Sequence, residues 1–201
     1  IINDNEKADE NFNLKPLSSY AKHKVEIEKY ILSLKGKVGY SPTILRFATA
    51  FGLSPRMRFD LTVNHFTKEL TEKKILNIYD ADTWRPYCHV NDFARLIEVV
   101  LNNKKNKTAF EIFNAGSDKN NYTKKNILDE IVKILPDSKI TYNNEGVDKR
   151  NYRVDFSKVK KILNFEVQHT VPDGIKEIHK AINSNLFNKN ISHFGNFKIN
   201  L

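Results

Sequence analysis

Leu17-Ser18-Ser19-Tyr20-Ala21-Lys22-His23-Lys24 is the stretch on which the reading of this chain turns. The serines are helix-capping residues, and Val25, Ile27, Ile31, Leu32 and Leu34 follow at spacings that give a helix of moderate amphipathicity, ended by Gly36. Past the turn at Ser41-Pro42, the run Thr43-Ile44-Leu45-Arg46-Phe47 is short and apolar, which predicts a buried strand. The alternation continues outward. Helices are expected over 61–70, 93–102, 124–135, 157–163 and 172–182, and strands over 75–79, 87–90, 110–113 and 140–142. Asp92 and Thr123 stand where they would cap the helices that follow them, Asn114-Ala115-Gly116 closes a strand, and Pro136 ends a helix. Residues 3–15 read as a polar surface loop, and the tail from Asn183 is polar with isolated aromatics. Strands alternating with helices, without internal repeats, place the chain in the α/β class.

Composition narrows the function classes. A chain of 201 residues, 40% hydrophobic and 28% charged, can bury one core or two small ones. Only 7 Gly and 6 Pro exclude collagen-like and bulk disordered chains. No apolar run approaches the roughly 20 residues of a membrane span, and Ile1-Ile2-Asn3-Asp4 has none of the regions of a signal peptide. The single cysteine, Cys88, excludes an internal disulfide framework, and no Cys/His cluster has zinc-site spacing, so no metal is expected. A reducing, cytoplasmic setting follows. The net charge of +9 is carried by 26 Lys and 7 Arg spread along the chain rather than gathered in a stripe, which argues against a nucleic-acid binder.

Tyr20 and Lys24 lie four apart at the start of the first helix, on one face. A free phenol titrates near pH 10, too high to exchange protons at neutrality, and a neighbouring ammonium favours the phenolate. The spacing alone carries little weight in so lysine-rich a chain.

Its context carries more. After the Tyr20 block come Leu45-Arg46-Phe47-Ala48-Thr49-Ala50-Phe51-Gly52, then Trp84-Arg85-Pro86-Tyr87-Cys88-His89-Val90-Asn91-Asp92, then Phe113-Asn114-Ala115-Gly116, then Asp148-Lys149-Arg150-Asn151-Tyr152-Arg153-Val154-Asp155-Phe156-Ser157-Lys158. This ordered set resembles the back half of the extended short-chain dehydrogenases/reductases, the nucleotide-sugar epimerases and dehydratases, over about residues 1–182. The resemblance implies that Tyr20 is the catalytic acid/base and Lys24 its partner, both also touching the nicotinamide cofactor. It implies that Arg85 and Arg150 grip the substrate diphosphate, a task suited to the planar, permanently charged guanidinium. Arg56 and Arg58 lie in a loop that contacts substrate in relatives, and Thr49 sits where many relatives carry Asn. Gly52 is followed by Leu53 where relatives usually have Pro. Asn114 fits either backbone capping or a nucleotide contact, and His89 is expected to be structural. NAD or NADP in the intact enzyme, a nucleotide-sugar substrate and a homodimer are the implied partners, with neither nucleic acid nor membrane.

One family feature is missing. There is no Gly-x-x-Gly-x-x-Gly turn: Gly36-Lys37-Val38-Gly39 meets Pro42 at the third site. The chain is therefore expected to be the C-terminal part of the family's fold, inactive alone and binding no dinucleotide by itself. Residues 1–60 and 93–116 would end a Rossmann-type doubly wound sheet whose front half is absent. Residues 61–92 and 117–182 would form a smaller mixed α/β substrate lobe, with 183–201 as a tail. The choice among epimerase, dehydratase and 4-ketoreductase stays open. The rival reading is a non-catalytic binding or oligomerisation module derived from the same family.

Overall fold

Ser18 caps the first helix as its position suggested, its Oγ accepting from the Ala21 N–H at 3.2 Å. The computed structural model describes residues 6–143 and 151–187. Among them the chain runs β1 (Lys7–Ala8), α1 (Ser19–Ser33), β2 (Ile44–Phe47), β3 (Thr49–Phe51), α2 (Thr62–Glu72), β4 (Ile75–Tyr79), β5 (Trp84–His89) and α3 (Val90–Asn102). It continues through the single turn α4 (Lys105–Thr108), then β6 (Ile112–Ala115), β7 (Asn121–Thr123), α5 (Lys124–Val132), β8 (Lys139–Asn143), β9 (Arg153–Val154), α6 (Ser157–Leu163) and α7 (Val171–Asn183). The fold is mixed α/β. No helix among the described residues is long and apolar enough to cross a membrane.

Most pairing is parallel. β2 lies beside β6 with Arg46 opposite Asn114, β4 beside β8, β1 beside β9, and β3 beside β5 with Thr49 opposite Tyr87. β5 also pairs antiparallel with β7 through residues 84–86. Two cores result. Val63, Phe66 and Leu70 of α2 meet Ile127, Leu128 and Ile131 of α5 and Val171 and Ile175 of α7, over Leu76, Ile78, Tyr87 and Phe51. Helical spacing puts each trio on one face, and burying each of these side chains contributes about 1.5–3 kcal/mol. The second core gathers Leu96 of α3, Phe113 and Ala115 of β6, Val159 and Leu163 of α6, Phe156 and Phe165.

Four local readings are corrected. The strand expected over 110–113 runs Ile112–Ala115, because Phe110 adopts φ 57° and gives its N–H to the Pro42 carbonyl at 2.6 Å, outside any ladder. The strand expected over 87–90 runs Trp84–His89, since its first three residues pair with β7 and Val90 already belongs to α3. Asp92 does not cap α3. His89 does, its Nδ1 accepting from the Asn91 N–H at 3.2 Å. Within the expected loop at 3–15, Lys7–Ala8 pairs with β9, and the Glu10 side chain accepts from the Asn114 N–H at 2.7 Å.

Gly52 shows how tightly the chain is closed behind β3. It adopts φ +103°, and a Cβ there would lie 2.1 Å from Nε2 of the buried His89 ring. Strain and overlap act together, so Gly52→Ala is expected to cost at least about 2–3 kcal/mol, read as a lowered urea midpoint at unchanged slope.

Candidate functional site

Tyr20 and Lys24 stand in the first two turns of α1, with the Lys24 ammonium over the Tyr20 ring, 5.6 Å from its centroid. Tyr20 is 73% exposed, and α1 buries none of its residues; Ile27 and Tyr30 on it, and Leu17 just before it, are also open to solvent. The helix is tied to the sheet by one fork: Arg46 of β2 donates from Nε and Nη2 to Glu28 at 2.8 and 2.5 Å. Arg46 also donates to the Glu10 carbonyl at 3.1 Å. This planar, two-bond pairing, half shielded from water, fixes the rotation of α1 and so the side from which Tyr20 projects.

Other polar groups are placed quite differently. The Tyr87 phenol is pushed up to about 12 by burial, against a hydrogen bond with Thr62, and burial also raises Tyr122 and Tyr142. Burial likewise pushes the Cys88 thiol up, which removes it as a nucleophile. His89 is fully buried, with both ring nitrogens engaged by the chain: Nδ1 takes the Asn91 N–H, so Nε2 carries the proton and donates to Glu177 Oε2 at 2.9 Å.

The residues expected on the substrate side lie in separate parts of the chain. Thr49 is in β3, facing Tyr87 across the ladder, and Arg85 lies two residues before Tyr87 on β5. Arg85 is only 9% exposed; it donates to the Trp84 carbonyl at 2.7 Å and its guanidinium stacks on the Tyr152 ring at 5.2 Å. Arg150 lies outside the described residues. The segment directly after it is fastened to β5, with the Trp84 N–H donating to Asn151 Oδ1 at 2.8 Å and Arg153 over the Trp84 ring at 5.0 Å. Arg56 and Arg58 lie in the loop after β3. Arg56 is exposed, while Arg58 forks onto Asp60 at 2.7 and 2.6 Å, a pairing that raises its pKa above the ordinary guanidinium value. Asn114 is buried in β6 and its amide donates to the Ala8 and Asp155 carbonyls at 3.2 and 3.1 Å.

Spacing did not reveal the buried polar residues that tie distant segments to one another. Asp92 is wholly buried and accepts from Arg95, from the Gln168 and His169 N–H groups and from His169 Nδ1. Burial alone would raise its carboxyl, and these donors outweigh that and hold it below the usual carboxylate value. Arg46 stood out in principle, as one of seven arginines in a lysine-rich chain, although its pairing with Glu28 did not.

Residues 2–116 match the model of the NAD dependent epimerase/dehydratase family, more than half of the chain. The chain belongs to this family. The epimerase/dehydratase chain is 29% identical over 165 residues to a UDP-glucuronate 4-epimerase of Thermodesulfobacterium geofontis, covering 80% of this chain and 49% of that protein. Among solved structures it is similar to the UDP-glucuronic acid 4-epimerase of Bacillus cereus in complex with UDP-glucuronic acid and NAD: TM-score 0.77, 25% identity, 90% of this chain and 57% of that one. The dTDP-glucose 4,6-dehydratase of Bacillus anthracis, in complex with NAD, has the same fold, with a TM-score of 0.77 at 24% identity over 92% of this chain and 58% of that one. The chain spans about half the length of the curated relatives it matches.

Proposed function

We propose that this chain forms the substrate-binding portion of an NAD(P)-dependent nucleotide-sugar epimerase, dehydratase or 4-ketoreductase. The observation that carries the reading is the Tyr20–Lys24 pair, held in one orientation by the Glu28–Arg46 fork on a helix whose face no described part of the chain covers. An open face carrying that pair suits a dinucleotide-binding portion packed against α1 and along β2, which among the described residues pairs only with β6. A bound nicotinamide would supply the acceptor and donor for hydride at the sugar carbon. Tyr20 Oη would hold the proton exchanged with the sugar hydroxyl, and Lys24 would place positive charge beside it and meet the nicotinamide ribose.

The diphosphate would fall to arginines. Arg85 is braced by Tyr152 and the Trp84 carbonyl, so the plane of its guanidinium is fixed by the fold and binding would not have to order a flexible side chain. Residue 150 immediately precedes the segment fastened to Trp84, which supports a clamp built by Arg85 and Arg150 from two distant stretches of sequence. The sheet-bearing and substrate-lobe division over 1–60 with 93–116 and 61–92 with 117–182 belongs to the same reading.

The test is binding to the chain itself. Calorimetry with UDP-glucuronic acid should show Arg85→Ala weakening affinity by about 1.5–3 kcal/mol, the scale of a hydrogen bond to a charged group. Arg85→Lys should recover only part, because an ammonium lacks the planar fork. Wild-type affinity in Arg85→Ala overturns the clamp.

A further inference from the structure

The loop from Gly52 to Asp60, which carries Arg56 and Arg58, is held by side chains that belong to two helices outside it. Asn64, in the first turn of α2 and almost fully buried, closes the loop at both ends. Its Oδ1 accepts from the Gly52 N–H and its Nδ2 donates to the Arg58 carbonyl, each at 3.1 Å. Glu177, more than a hundred residues away on α7, accepts from the Leu53 N–H at 3.2 Å through the same oxygen that takes the His89 proton at 2.9 Å. His89 cannot turn away to release Glu177: it is fully buried, caps α3 through Nδ1, and is stacked on His169 at 4.3 Å with the Phe51 ring at its edge.

Inside the loop two further backbone groups are engaged. The Ser54 N–H points at Met57 Sδ at 3.3 Å, and Ser54 Oγ donates to the Arg56 carbonyl at 2.7 Å. Met57 is itself buried against Phe59 and Ile178, the latter on α7 beside Glu177. A surface loop with this many ties has few conformations left, so the bases of both arginine side chains are set before any ligand arrives. Preorganisation of that kind raises affinity because the ordering cost is met on folding rather than on binding.

We propose that Asn64 and Glu177 are positioning residues for nucleotide binding, fixing the backbone of the Gly52–Asp60 loop so that the anionic part of the substrate meets one geometry of the segment that carries Arg56 and the Arg58–Asp60 fork. This rests on the nucleotide-sugar reading above. Neither residue touches the ligand; each acts through the loop backbone.

The experiment uses the whole chain, UDP as probe, and two readouts: amide hydrogen exchange of residues 53–57 and UDP affinity by calorimetry. Asn64→Ala and Glu177→Ala should each speed exchange in that segment and weaken UDP binding about tenfold, as loss of one or two ordering hydrogen bonds implies. Glu177→Gln keeps an acceptor oxygen for Leu53 and His89 and should restore both readouts. Thr71→Ala removes a contact between α2 and His179 of α7 at 3.0 Å without touching the loop, and should leave both unchanged. If an alanine variant fails to fold, Asn64→Asp keeps the acceptor for Gly52 and loses the donor to Arg58, and the same two readouts apply. Unchanged exchange at 53–57, or faster exchange with unchanged UDP affinity, overturns the positioning role. A wild-type chain that binds no UDP overturns the nucleotide-sugar reading and the ligand part of this proposal with it, while the exchange data still decide whether the two side chains hold the loop.

Discussion

Asp92→Ala should lower the stability of the chain by about 3–5 kcal/mol, the usual cost of removing one partner from a buried charged pair. The size follows from what the carboxylate does. It is fully buried in the first turn of α3, and its two oxygens receive Arg95 Nη1 at 2.6 Å, the backbone N–H groups of Gln168 and His169 at 3.0 Å each, and His169 Nδ1 at 3.2 Å. The truncated protein would leave two backbone donors in a dry site and would untie the segment that leads into α7. Asp92→Asn should lose less, since one acceptor oxygen remains while an amide donor faces one of the N–H groups. The pH dependence has a definite sign. The folded carboxyl titrates below its ordinary value of about 4, so its contribution is complete above the unfolded value and is lost as the pH falls through the folded one. Wild-type chain should therefore lose stability on the acid side, and Asp92→Ala should show a shallower acid limb. Urea unfolding of both proteins between pH 3 and 7 measures it; parallel curves would show that Asp92 is not the group responsible.

Asp92 also shows where sequence reading stops. An aspartate just before an apolar helical run has the form of a cap, and local pattern offers no reason to choose otherwise. The helix begins three residues earlier because an imidazole takes the capping role, and the distant partners of Asp92 lie some 76 residues on. The same divide separates other elements. α1, β2, α2, α5 and α7 were legible because each has its own signal: a capping serine or threonine, a helical stripe, or a turn with Pro or Gly. β1 and β9 were not, for two-residue strands have no periodicity, and theirs is imposed by Asn114 and Asn121 reaching across from elsewhere. At the candidate site, Tyr20 and Lys24 were legible through a short spacing in an ordered context. The Glu28–Arg46 fork and the Asn64 and Glu177 ties were not, because each joins helices and strands that only the folded chain brings together.

On the proposed reading, Tyr20→Phe should reduce turnover by about 10²–10⁴-fold while leaving nucleotide-sugar affinity unchanged, the range a single proton-transferring side chain contributes. The structure makes this substitution unusually interpretable. Tyr20 is 73% exposed on a helix with no buried residue, so removing its hydroxyl disturbs no core and breaks no internal hydrogen bond among the described residues. Its effect on the stability of this chain should stay within about 0.5 kcal/mol, which can be measured separately. The ring itself remains, and with it the surface over which the Lys24 ammonium sits at 5.6 Å. What changes is one acidic O–H. Turnover is to be measured in protein that carries the family's dinucleotide-binding portion, with UDP-glucuronic acid as substrate and with affinity read in parallel by calorimetry. A fall in kcat at constant affinity assigns the hydroxyl to the chemical step. Wild-type turnover in Tyr20→Phe would remove Tyr20 as the acid/base, and equal losses in affinity and turnover would make it a binding contact instead.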